Sequence, residues 1–487
     1  MHVHIAIVGS GFAGLGAAIR LRDAGFHDLL VLERAGALGG TWRDNTYPGC
    51  ACDVPSRLYS FSFAQNANWS RLFSPQAEIL TYLHRVATHY ALMPCIRFNA
   101  ALLSAAWNSV AERWELETAR GPMTASVLIM ATGALSDPVM PELRDIAVFQ
   151  GPVFHTAQWN HDVDLAGKRV AVIGTGASAI QVVPAIQPNV LSLLLLQRTA
   201  PWIVPRRDKP VSSAMQALYR FAPGLQQIVR GVVYATREMS LLAFRHRALT
   251  RIVERVSRQH LAAQVPNSDL RAALTPAYRI GCKRILVSDN FYPALTQPNV
   301  TVVTNGISHI TPNGIVTQDG VTHEVDVIIA ATGFQPTTPP LAPFVCGRDG
   351  RTLASVWTPS MRALASTSVS GFPNLFIIPG PNSGLGHTSM IYMIESQIAH
   401  VLSAMRYMQR ARMASMEARA DSQTAYADSV DRRMTGTVWT SGGCASWYLD
   451  ASGRNSTLWP DFTFRFRRRV ARMRPHEYHF TRTEKNM

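Results

Sequence analysis

Two glycine-rich turns of nearly the same pattern constrain the fold of this chain more than any other feature. The first, GSGFAG, follows the apolar stretch HIAIVG and precedes the helical stretch LGAAIRLRDAG, after which a second strand, LLVLE, ends in Glu33. In such a β-α-β unit Gly9 permits the tight turn, Gly11 lets a pyrophosphate approach the backbone, and Gly14 lets the helix pack on the strand. Glu33 lies 33 − 9 = 24 residues after Gly9, where a carboxylate can accept hydrogen bonds from ribose hydroxyls. The unit is therefore predicted to bind a dinucleotide.

The second turn lies in a near-repeat of this unit. The strand RVAVIG leads into GTGASA, a helical stretch SAIQVVPAIQ follows, and the strand LSLLLLQRT closes the unit; its three small-residue positions are Gly174, Gly176 and Ala179. Where the first unit ends in Glu33, this one has Gln197 followed by Arg198 and Thr199. An acidic residue repels a ribose 2′-phosphate and an arginine attracts one. The first unit therefore suits an unphosphorylated ribose, and the second suits NADP.

The order of the other elements predicts the fold class. A chain of 487 residues is too long for one small core. Two further apolar strands, SVLIMATG and VDVIIAATG, follow the first and second units and both end in Ala-Thr-Gly. We expect an α/β protein with two Rossmann-like dinucleotide-binding domains, the second inserted in the first. The predicted boundaries are 1–145 for the first part of the first domain, 146–335 for the second domain, and 336–487 for the second part of the first domain with a C-terminal tail.

A helical and basic stretch at about 205–280 is predicted to be an insertion within the second domain. Its methionine and aromatic positions are expected to form the core of the insertion or a lid. A helix lying on a membrane surface is the alternative, because the stretch is basic.

Bulk composition narrows the class of protein. The 47% hydrophobic and 16% charged content is that of an ordinary globular protein. The first strand begins within three residues of Met1, which leaves no room for a signal peptide, and no apolar run approaches the length of about 18 residues that a membrane span needs. We therefore expect a cytoplasmic protein without an integral membrane segment.

The six cysteines are spread thinly, and Cys50 and Cys52 are too close for the C-x-x-C spacing of redox or zinc sites. All six are expected to be free thiols in a reducing compartment, and no metal site is predicted.

The formal net charge of +15 would suit a nucleic acid or an anionic membrane. However, the basic residues are dispersed, and no nucleic-acid-binding motif accompanies them. The densest run, FRFRRRVARMR at 464–474, is expected to be a solvated C-terminal segment. No nucleic-acid partner is predicted, and the sequence does not predict the oligomeric state.

Two loops are candidates for ligand contact. Residues 36–63 are too rich in Gly, Pro and Asn for regular structure, and loops of this length inside a compact domain are usually functional. Asp53 is the one carboxylate between residues 50 and 63, although its spacing alone would favour a turn cap. The turn at 380–386 precedes a helix expected to start near His387, so its backbone N–H groups are predicted to face an electron-rich ligand.

The stretch just before the second turn resembles the fingerprint of a known family. FQGPVFHTAQWN resembles the fingerprint F-x-G-x-x-x-H-x-x-x-W-[PD] of the flavin-containing Baeyer–Villiger monooxygenases; Asn160 departs from it, and the matching residues are Phe149, Gly151, His155 and Trp159. The resemblance continues through GGTW at 39–42, YPG-x-x-CD at 47–53, QRT at 197–199 and CKR at 282–284. It covers most of the chain through about residue 397. The tail carries less of it, although GCASWYLDASGRNSTLWP is similar to the tails of some members.

The resemblance implies an activity and a set of site residues. Members of this family use FAD, NADPH and O2 to insert one oxygen atom next to a ketone carbonyl through a flavin peroxide, which gives an ester or a lactone. By its match to the family, Arg284 is the expected catalytic arginine, and Asp53 is expected to orient it. Lys283, Arg198 and Thr199 are expected to hold the 2′-phosphate. The full set of predicted cofactor-binding residues is Gly9, Gly11, Gly14, Glu33, Gly40, Thr41, Trp42, Asp53, Tyr59, Thr175, Gly176, Ser178, Gln181, Arg198, Thr199, Lys283 and Asn382.

Several alternatives stay open on the sequence alone. A flavin monooxygenase acting on amines or sulfides would share both nucleotide units, while a disulfide-reductase-like flavoprotein is disfavoured because no close redox cysteine pair follows the first unit. Spacing alone would make Lys283 and Arg284 a solvated basic pair. His155 is expected to belong to a hinge between the domains and to take no part in the oxidation.

Overall fold

The computed structural model of the chain describes residues 1–444 and 446–482. Its largest sheet has eight strands, and Leu375–Ile377 pairs with Met123–Met130 beside the main path. The central strands of this sheet run parallel, as expected for a Rossmann-like unit. Along the main path the strands are Val345–Cys346, Leu102–Asn108, Arg113–Thr118, Met123–Met130, His2–Val8, Leu29–Leu32 and Ile96–Arg97.

The second sheet has five strands, all parallel. All of them lie in the chain after Met123–Met130 and before Val345–Cys346 of the first sheet, so the second unit is inserted in the first. This confirms the predicted α/β fold with two Rossmann-like units. In spatial order the strands are Val300–Val303, Ser192–Leu196, Arg169–Ile173, Val327–Ala330 and Val153–His155.

Smaller sheets and the helices complete the architecture. A three-stranded antiparallel sheet and two strand pairs comprise Ile307–Thr311, Gly314–Thr317 and Thr322–Glu324; Ile203–Val204 with Leu286–Val287; and Met413–Ala418 with Tyr478–Arg482. The α-helices outside 205–280 are Phe12–Asp23, Thr41–Asp44, Gln76–His89, Ala179–Ile186, Phe291–Leu295, Leu353–Val356, Met390–Ala411, Ala420–Met434, Val438–Ser441 and Thr463–Val470. No helix among the described residues is both long and apolar enough to cross a membrane.

The two glycine turns have the same local geometry, which explains the sequence repeat. Gly9 has φ +104°, and a Cβ added there would lie 2.6 Å from the carbonyl oxygen of Ala131. Gly174 has φ +110°, and its Cβ would lie 2.6 Å from the carbonyl oxygen of Ala331. Each turn therefore needs a residue without a side chain because it rests on an Ala-Thr-Gly strand end. The repeated Ala-Thr-Gly ends are thus partners of the repeated turns.

The helical insertion comprises Ser213–Phe221, Pro223–Met239, Leu241–Arg245, Arg247–Gln264 and Ser268–Ala273, which we call the insertion helices. The expectation that their methionine and aromatic residues form a core is only half right. Tyr219 and Phe244 are buried, whereas Met215, Phe221 and Met239 are exposed. The interior contacts of the insertion helices instead include polar side chains such as Gln226 and Glu238, both buried.

The basic C-terminal run is packed on the protein through its apolar face, while five of its six arginines are exposed, so the expectation of a solvated segment is right only for its charged side chains. Residues Thr463–Val470 form a helix that lies against the long helix Met390–Ala411. Phe466 and Val470 are fully buried, and Arg469 pairs with Glu477 at 2.7 Å. The long helix itself begins at Met390, three residues later than expected, because the side chain of Ser389 caps it.

The prediction of six free thiols is wrong for two of them. Cys282 and Cys444 form a disulfide across 162 residues of chain, with their Cα atoms 6.2 Å apart. Their distance in sequence gave no sign of this proximity. The remaining four, Cys50, Cys52, Cys95 and Cys346, are free. Burial raises the pKa of the Cys50 thiol to about 11 and that of Cys52 further, so neither is an activated thiol.

Candidate active site

The loop after the first unit closes over its glycine turn. The N–H of Gly39 donates to the carbonyl of Ser10 at 3.1 Å, and a Cβ on Gly40 would lie 3.2 Å from the Cα of Gly11. Thr41 then starts a short helix that carries Trp42, whose indole N–H donates to the hydroxyl of Tyr59 at 3.1 Å. Five of the predicted residues, Gly11, Gly40, Thr41, Trp42 and Tyr59, therefore belong to one continuous surface beside the turn.

The carboxylate of Glu33 is fully engaged by the protein. One oxygen accepts from the backbone N–H and the hydroxyl of Ser10, at 2.9 and 2.6 Å, and the other accepts from the N–H of Ala35 and from Arg43, both at 2.9 Å. Burial alone would raise the pKa of Glu33, but these donors outweigh it and hold the pKa below its usual value. The carboxylate is therefore ionised. Each oxygen of the carboxylate already accepts two hydrogen bonds from the protein.

The second unit presents two cations at the end of its closing strand. Arg198 is exposed and Lys283 is half-buried, and neither has an acidic partner in the part of the chain that the structure describes. Burial lowers the pKa of Lys283, and the nearby charge of Arg198 lowers it further. Two close cations without an anion form a site of positive potential. Thr199 lies beside them, and its carbonyl accepts the hydroxyl of Thr175 at 2.9 Å.

The second glycine turn is open on the side that faces a ligand. A Cβ on Gly176 would find no atom closer than 4.0 Å, and Ser178 immediately precedes the helix Ala179–Ile186. The helix N-terminus brings free backbone N–H groups to this point.

Gln181 and Asn382 have protein partners for their side-chain amides. Gln181 joins the two units, because it accepts from the hydroxyl of Tyr47 at 3.0 Å and donates to the carbonyl of Ala51 at 3.0 Å. Asn382 is buried, and its amide oxygen accepts from Arg454 at 3.0 Å. Its amide nitrogen donates to two carbonyls of the tail, those of Asn455 and Leu458. The backbone of Asn382 is engaged as well, because its N–H donates to the carbonyl of Ser456 at 2.8 Å and its carbonyl accepts from the hydroxyl of Ser366 at 3.4 Å.

Asp53 of the first unit and Arg284 of the second form a bidentate ion pair. Nε of Arg284 donates to one carboxylate oxygen at 2.7 Å, and Nη2 donates to the other at 2.8 Å. The Asp53 carboxylate raises the pKa of Arg284 above its usual value, so the guanidinium is always charged. Nη1 makes no hydrogen bond within residues 1–444 and 446–482. The pair thus fixes the guanidinium plane and leaves one pair of donors for a ligand.

Tyr448, from the C-terminal tail, is a site residue that the sequence reasoning missed. Its hydroxyl is buried and makes no hydrogen bond with the described residues. Burial raises the pKa of Tyr448, and the neighbouring charge of Arg284 partly offsets that rise. The Cys282–Cys444 disulfide holds this part of the tail beside the segment that carries Arg284. The tail motif GCASWYLD was the available signal.

An apolar wall surrounds the tail and the CKR segment. It contains the stacked rings of Phe244 and Trp439, whose centroids are 5.2 Å apart. Arg237, on an insertion helix, is a second missed residue: burial lowers its pKa, and the charge of Asp53 partly offsets that effect. It has no ion-pair partner among the described side chains. No sequence motif pointed to it.

The fingerprint stretch forms the edge strand of the second sheet and is not a free linker. Gly151 allows this, because a Cβ there would lie 2.2 Å from the carbonyl oxygen of Asp326. His155 is fully buried, its Nδ1 accepts from the N–H of Ala157 at 3.0 Å, and burial lowers its pKa to about 4. The imidazole is therefore neutral. The two aromatic fingerprint positions pack on either side, with Phe149 in a cluster under the sheet and Trp159 edge-on to Phe154.

Asn160, the residue that departs from the fingerprint, has a simple local task. Its side chain accepts the N–H of Asp162 at 3.0 Å and closes the turn after the edge strand. Asn160 therefore supports a turn at this position of the fingerprint.

Comparison with known proteins identifies the family of this chain. A family model described as pyridine nucleotide-disulphide oxidoreductase matches residues 6–212. The chain is 50% identical over 483 residues to a Baeyer–Villiger monooxygenase of Streptomyces coelicolor, covering 99% of this chain and 93% of the relative. It is 47% identical over 485 residues to a Baeyer–Villiger monooxygenase of Pseudomonas aeruginosa, covering 99% and 92%. A solved structure of an oxidized steroid monooxygenase bound to NADP matches with a TM-score of 0.88 at 28% identity, covering 99% of this chain and 100% of that chain. The chain belongs to the Baeyer–Villiger monooxygenase family.

Proposed function

We propose that this member of the family is an FAD-containing, NADPH-dependent monooxygenase whose substrate is a ketone and whose product is an ester or a lactone. One atom of O2 enters the product, and the other leaves as water with the two electrons of NADPH. The observation that carries the proposal is the bidentate pair between Asp53 of the first unit and Arg284 of the second. It places a permanently charged donor where the two nucleotide-binding units meet.

The residues of the first unit fit FAD. The turn at Gly9 and the facing Gly40 leave room for a pyrophosphate against the backbone, and Glu33 is ionised and lies behind Ser10 for a ribose. The loop with Trp42 and Tyr59 borders the same surface. FAD, when bound, supplies the activated oxygen that this family transfers.

The residues of the second unit fit NADPH better than NADH. Arg198 and Lys283 are adjacent cations without an acidic partner in the described chain, as a 2′-phosphate requires. Gln197, in place of the acid of the first unit, donates to the carbonyl of Ala273 at 2.8 Å and does not repel a phosphate. Thr175, Gly176 and Ser178 border the open turn where a pyrophosphate would lie.

Arg284 is proposed to stabilise the negative charge that develops on the reacting oxygen. Asp53 holds Nε and Nη2, so the remaining Nη1 donors can point at that charge without any reorganisation. The hydroxyl of Tyr448, buried and without a partner in the described structure, is a second donor at the same place. The wall with Phe244 and Trp439 excludes water from the anion.

We also propose the domain boundaries of 1–145, 146–335 and 336–487, which agree with the positions of the two sheets in the chain. The cytoplasm, with its supply of NADPH, is the proposed compartment. A disulfide there is exposed to cellular thiols, which makes the redox state of Cys282 and Cys444 worth measuring.

Product analysis with a ketone and a thioether tests the proposal directly. The purified protein should be yellow, consume NADPH in preference to NADH, and convert linear, cyclic or aryl ketones into esters or lactones. Sulfoxide formation without any ester or lactone from the ketone panel would assign it to heteroatom oxidation. Arg284→Met should abolish the ester while the protein keeps its FAD.

A further inference from the structure

The insertion helices carry an unusual share of exposed apolar side chains. Residues 213–264 make up 264 − 213 + 1 = 52 of the 487 positions, yet they hold nine of the 23 exposed large apolar side chains found among the described residues. Phe221 is 95% exposed and Ile228 is 65% exposed. Contiguous exposed apolar surface on a folded protein usually marks a binding surface. The nine residues are Met215, Leu218, Phe221, Ile228, Val232, Met239, Leu249, Ile252 and Val256.

These side chains form stripes along the outer faces of two long helices. On Pro223–Met239, Ile228, Val232 and Met239 follow each other at intervals of four and seven residues, the spacing of one helix face. The opposite face of that helix, which includes Gln226 and Glu238, is buried against the protein.

The helix Arg247–Gln264 repeats this arrangement. Leu249, Ile252 and Val256 are exposed at intervals of three and four residues. The opposite face includes Ser257, which is buried and donates to the carbonyl of Ile203 at 2.6 Å. The inner faces of both helices also carry apolar side chains, since Val233 is half-buried against the core and Leu261 is buried in it. The exposed apolar side chains of the outer faces are therefore additional to those that hold the helices on the protein.

The charges on these helices have one sign. Every exposed charged side chain described between residues 213 and 264 is an arginine, and the two acidic residues, Glu238 and Glu254, are buried and half-buried. Glu254 in turn accepts the N–H of Ile280. The exposed arginines are Arg220, Arg245, Arg251, Arg255 and Arg258.

We propose that the outer surface of the insertion helices between residues 213 and 264 docks the protein onto an anionic lipid bilayer; the exposed acidic residue Asp269 lies on the last insertion helix, outside this surface. Exposed apolar side chains flanked by arginines on amphipathic helices are the features of an interfacial membrane surface. The arginine stems can lie along the apolar region while their guanidinium groups reach the lipid phosphates. Acidic side chains, which lipid phosphates would repel, are absent from the exposed positions that the structure describes between residues 213 and 264.

A second copy of the chain is a poorer occupant than a lipid surface. In a two-fold dimer the same patch meets itself, so arginines would face arginines without exposed acidic residues between them. An anionic bilayer instead places negatively charged lipid phosphates opposite these arginines. The helix Pro223–Met239 also carries Arg237, which lies near Asp53, so a bound bilayer would be one helix away from the proposed site.

Vesicle sedimentation with the purified protein tests this proposal without relying on activity. The protein should sediment with vesicles that contain about one-third phosphatidylglycerol at low salt, less at high salt, and little with pure phosphatidylcholine. Arg251→Gln with Arg255→Gln removes two exposed arginines that have no partner among the described residues, and should weaken binding roughly fivefold per arginine. Ile228→Gln with Val232→Gln should weaken it at both salt concentrations.

Matched variants on other faces serve as controls. Arg85→Gln with Arg406→Gln removes two exposed arginines elsewhere, and Leu103→Gln with Leu191→Gln removes two exposed leucines. These four substitutions should leave vesicle binding unchanged. Circular dichroism and bound flavin confirm that each variant is folded.

Three outcomes would overturn the proposal. The wild type could fail to bind anionic vesicles at low salt, or the insertion variants could bind as well as the controls, which would assign binding to another surface. Alternatively, light scattering could show a dimer that only Ile228→Gln with Val232→Gln dissociates, without vesicle binding; the face would then belong to a second copy. None of these outcomes bears on the monooxygenase activity, which the ketone panel tests separately.

Discussion

The variant Asp53→Asn tests the ion pair on which the proposed function depends. The carboxylate accepts two hydrogen bonds from Arg284, at 2.7 and 2.8 Å. Hydrogen bonds to charged groups contribute about 1.5–3 kcal/mol each, or about 3–6 kcal/mol for two. The side chains of Arg284 and Asp53 are 29% and 24% exposed, so we take about half of that sum, about 1.5–3 kcal/mol, as the loss of positioning after screening by solvent. This corresponds to a fall of roughly 10- to 150-fold in the rate of ester formation.

The assay separates positioning from folding and from cofactor binding. Ester formed per unit time should fall by that factor in Asp53→Asn, while bound FAD stays at the wild-type level and NADPH is still consumed. Asp326→Asn is the matched control, because Asp326 also pairs with an arginine at 2.7 Å, with side chains 33% and 32% exposed, but at the far end of the second sheet. The reasoning fails if Asp53→Asn keeps its rate within about threefold of the wild type, or if Asp326→Asn loses as much.

Three further predictions address the residues around this pair. Tyr448→Phe removes a buried donor near Arg284, and the ester yield per NADPH should fall several-fold with unchanged flavin content; an unchanged yield would remove Tyr448 from the site. Cys444→Ser should lower the unfolding free energy by about 2–4 kcal/mol through loss of the disulfide, whereas Cys346→Ser keeps the disulfide and serves as the control. Dithiothreitol should destabilise the wild type and Cys346→Ser but not Cys444→Ser, and equal denaturation midpoints for the two variants would contradict this. Burial lowers the pKa of His155 from 6.5 to about 4, so protonation favours the unfolded chain and the free energy of unfolding should fall as the pH drops from about 6.5 to 4. The variant His155→Asn keeps an acceptor for the N–H of Ala157 and should lose up to about 3 kcal/mol of that pH dependence. A pH profile of stability identical to that of the wild type would refute this prediction.

The sequence determined the parts of this protein that depend on local backbone geometry. Gly9 and Gly174 are needed because the chain turns with positive φ against a neighbouring strand, and that requirement appears directly as a glycine in the sequence. The contrast at the two strand ends is also local, since Glu33 directly follows the last apolar position of its strand, whereas Gln197 and then Arg198 follow that of the other. The two units, their order and the family could therefore be inferred from the order of residues alone.

The tertiary structure alone decided which distant residues meet. Asp53 and Arg284 are 231 positions apart, and only the family resemblance, not spacing, suggested that they pair. Cys282 and Cys444, 162 positions apart, were expected to be free thiols, and Tyr448 and Arg237 were not expected at the site. The physical reason is the same in each case: these contacts arise where the second unit, the insertion and the tail pack together.

The outer face of the insertion helices also could not be predicted from the sequence alone. Helical periodicity in the sequence gives the spacing of Ile228, Val232 and Met239, but an apolar stripe on a helix is normally its buried side. Only the packing shows that the face with Gln226 and Val233 lies against the protein, whereas the stripe of exposed apolar side chains faces outward. Periodicity fixes which residues share a face, and tertiary contacts decide which way that face points.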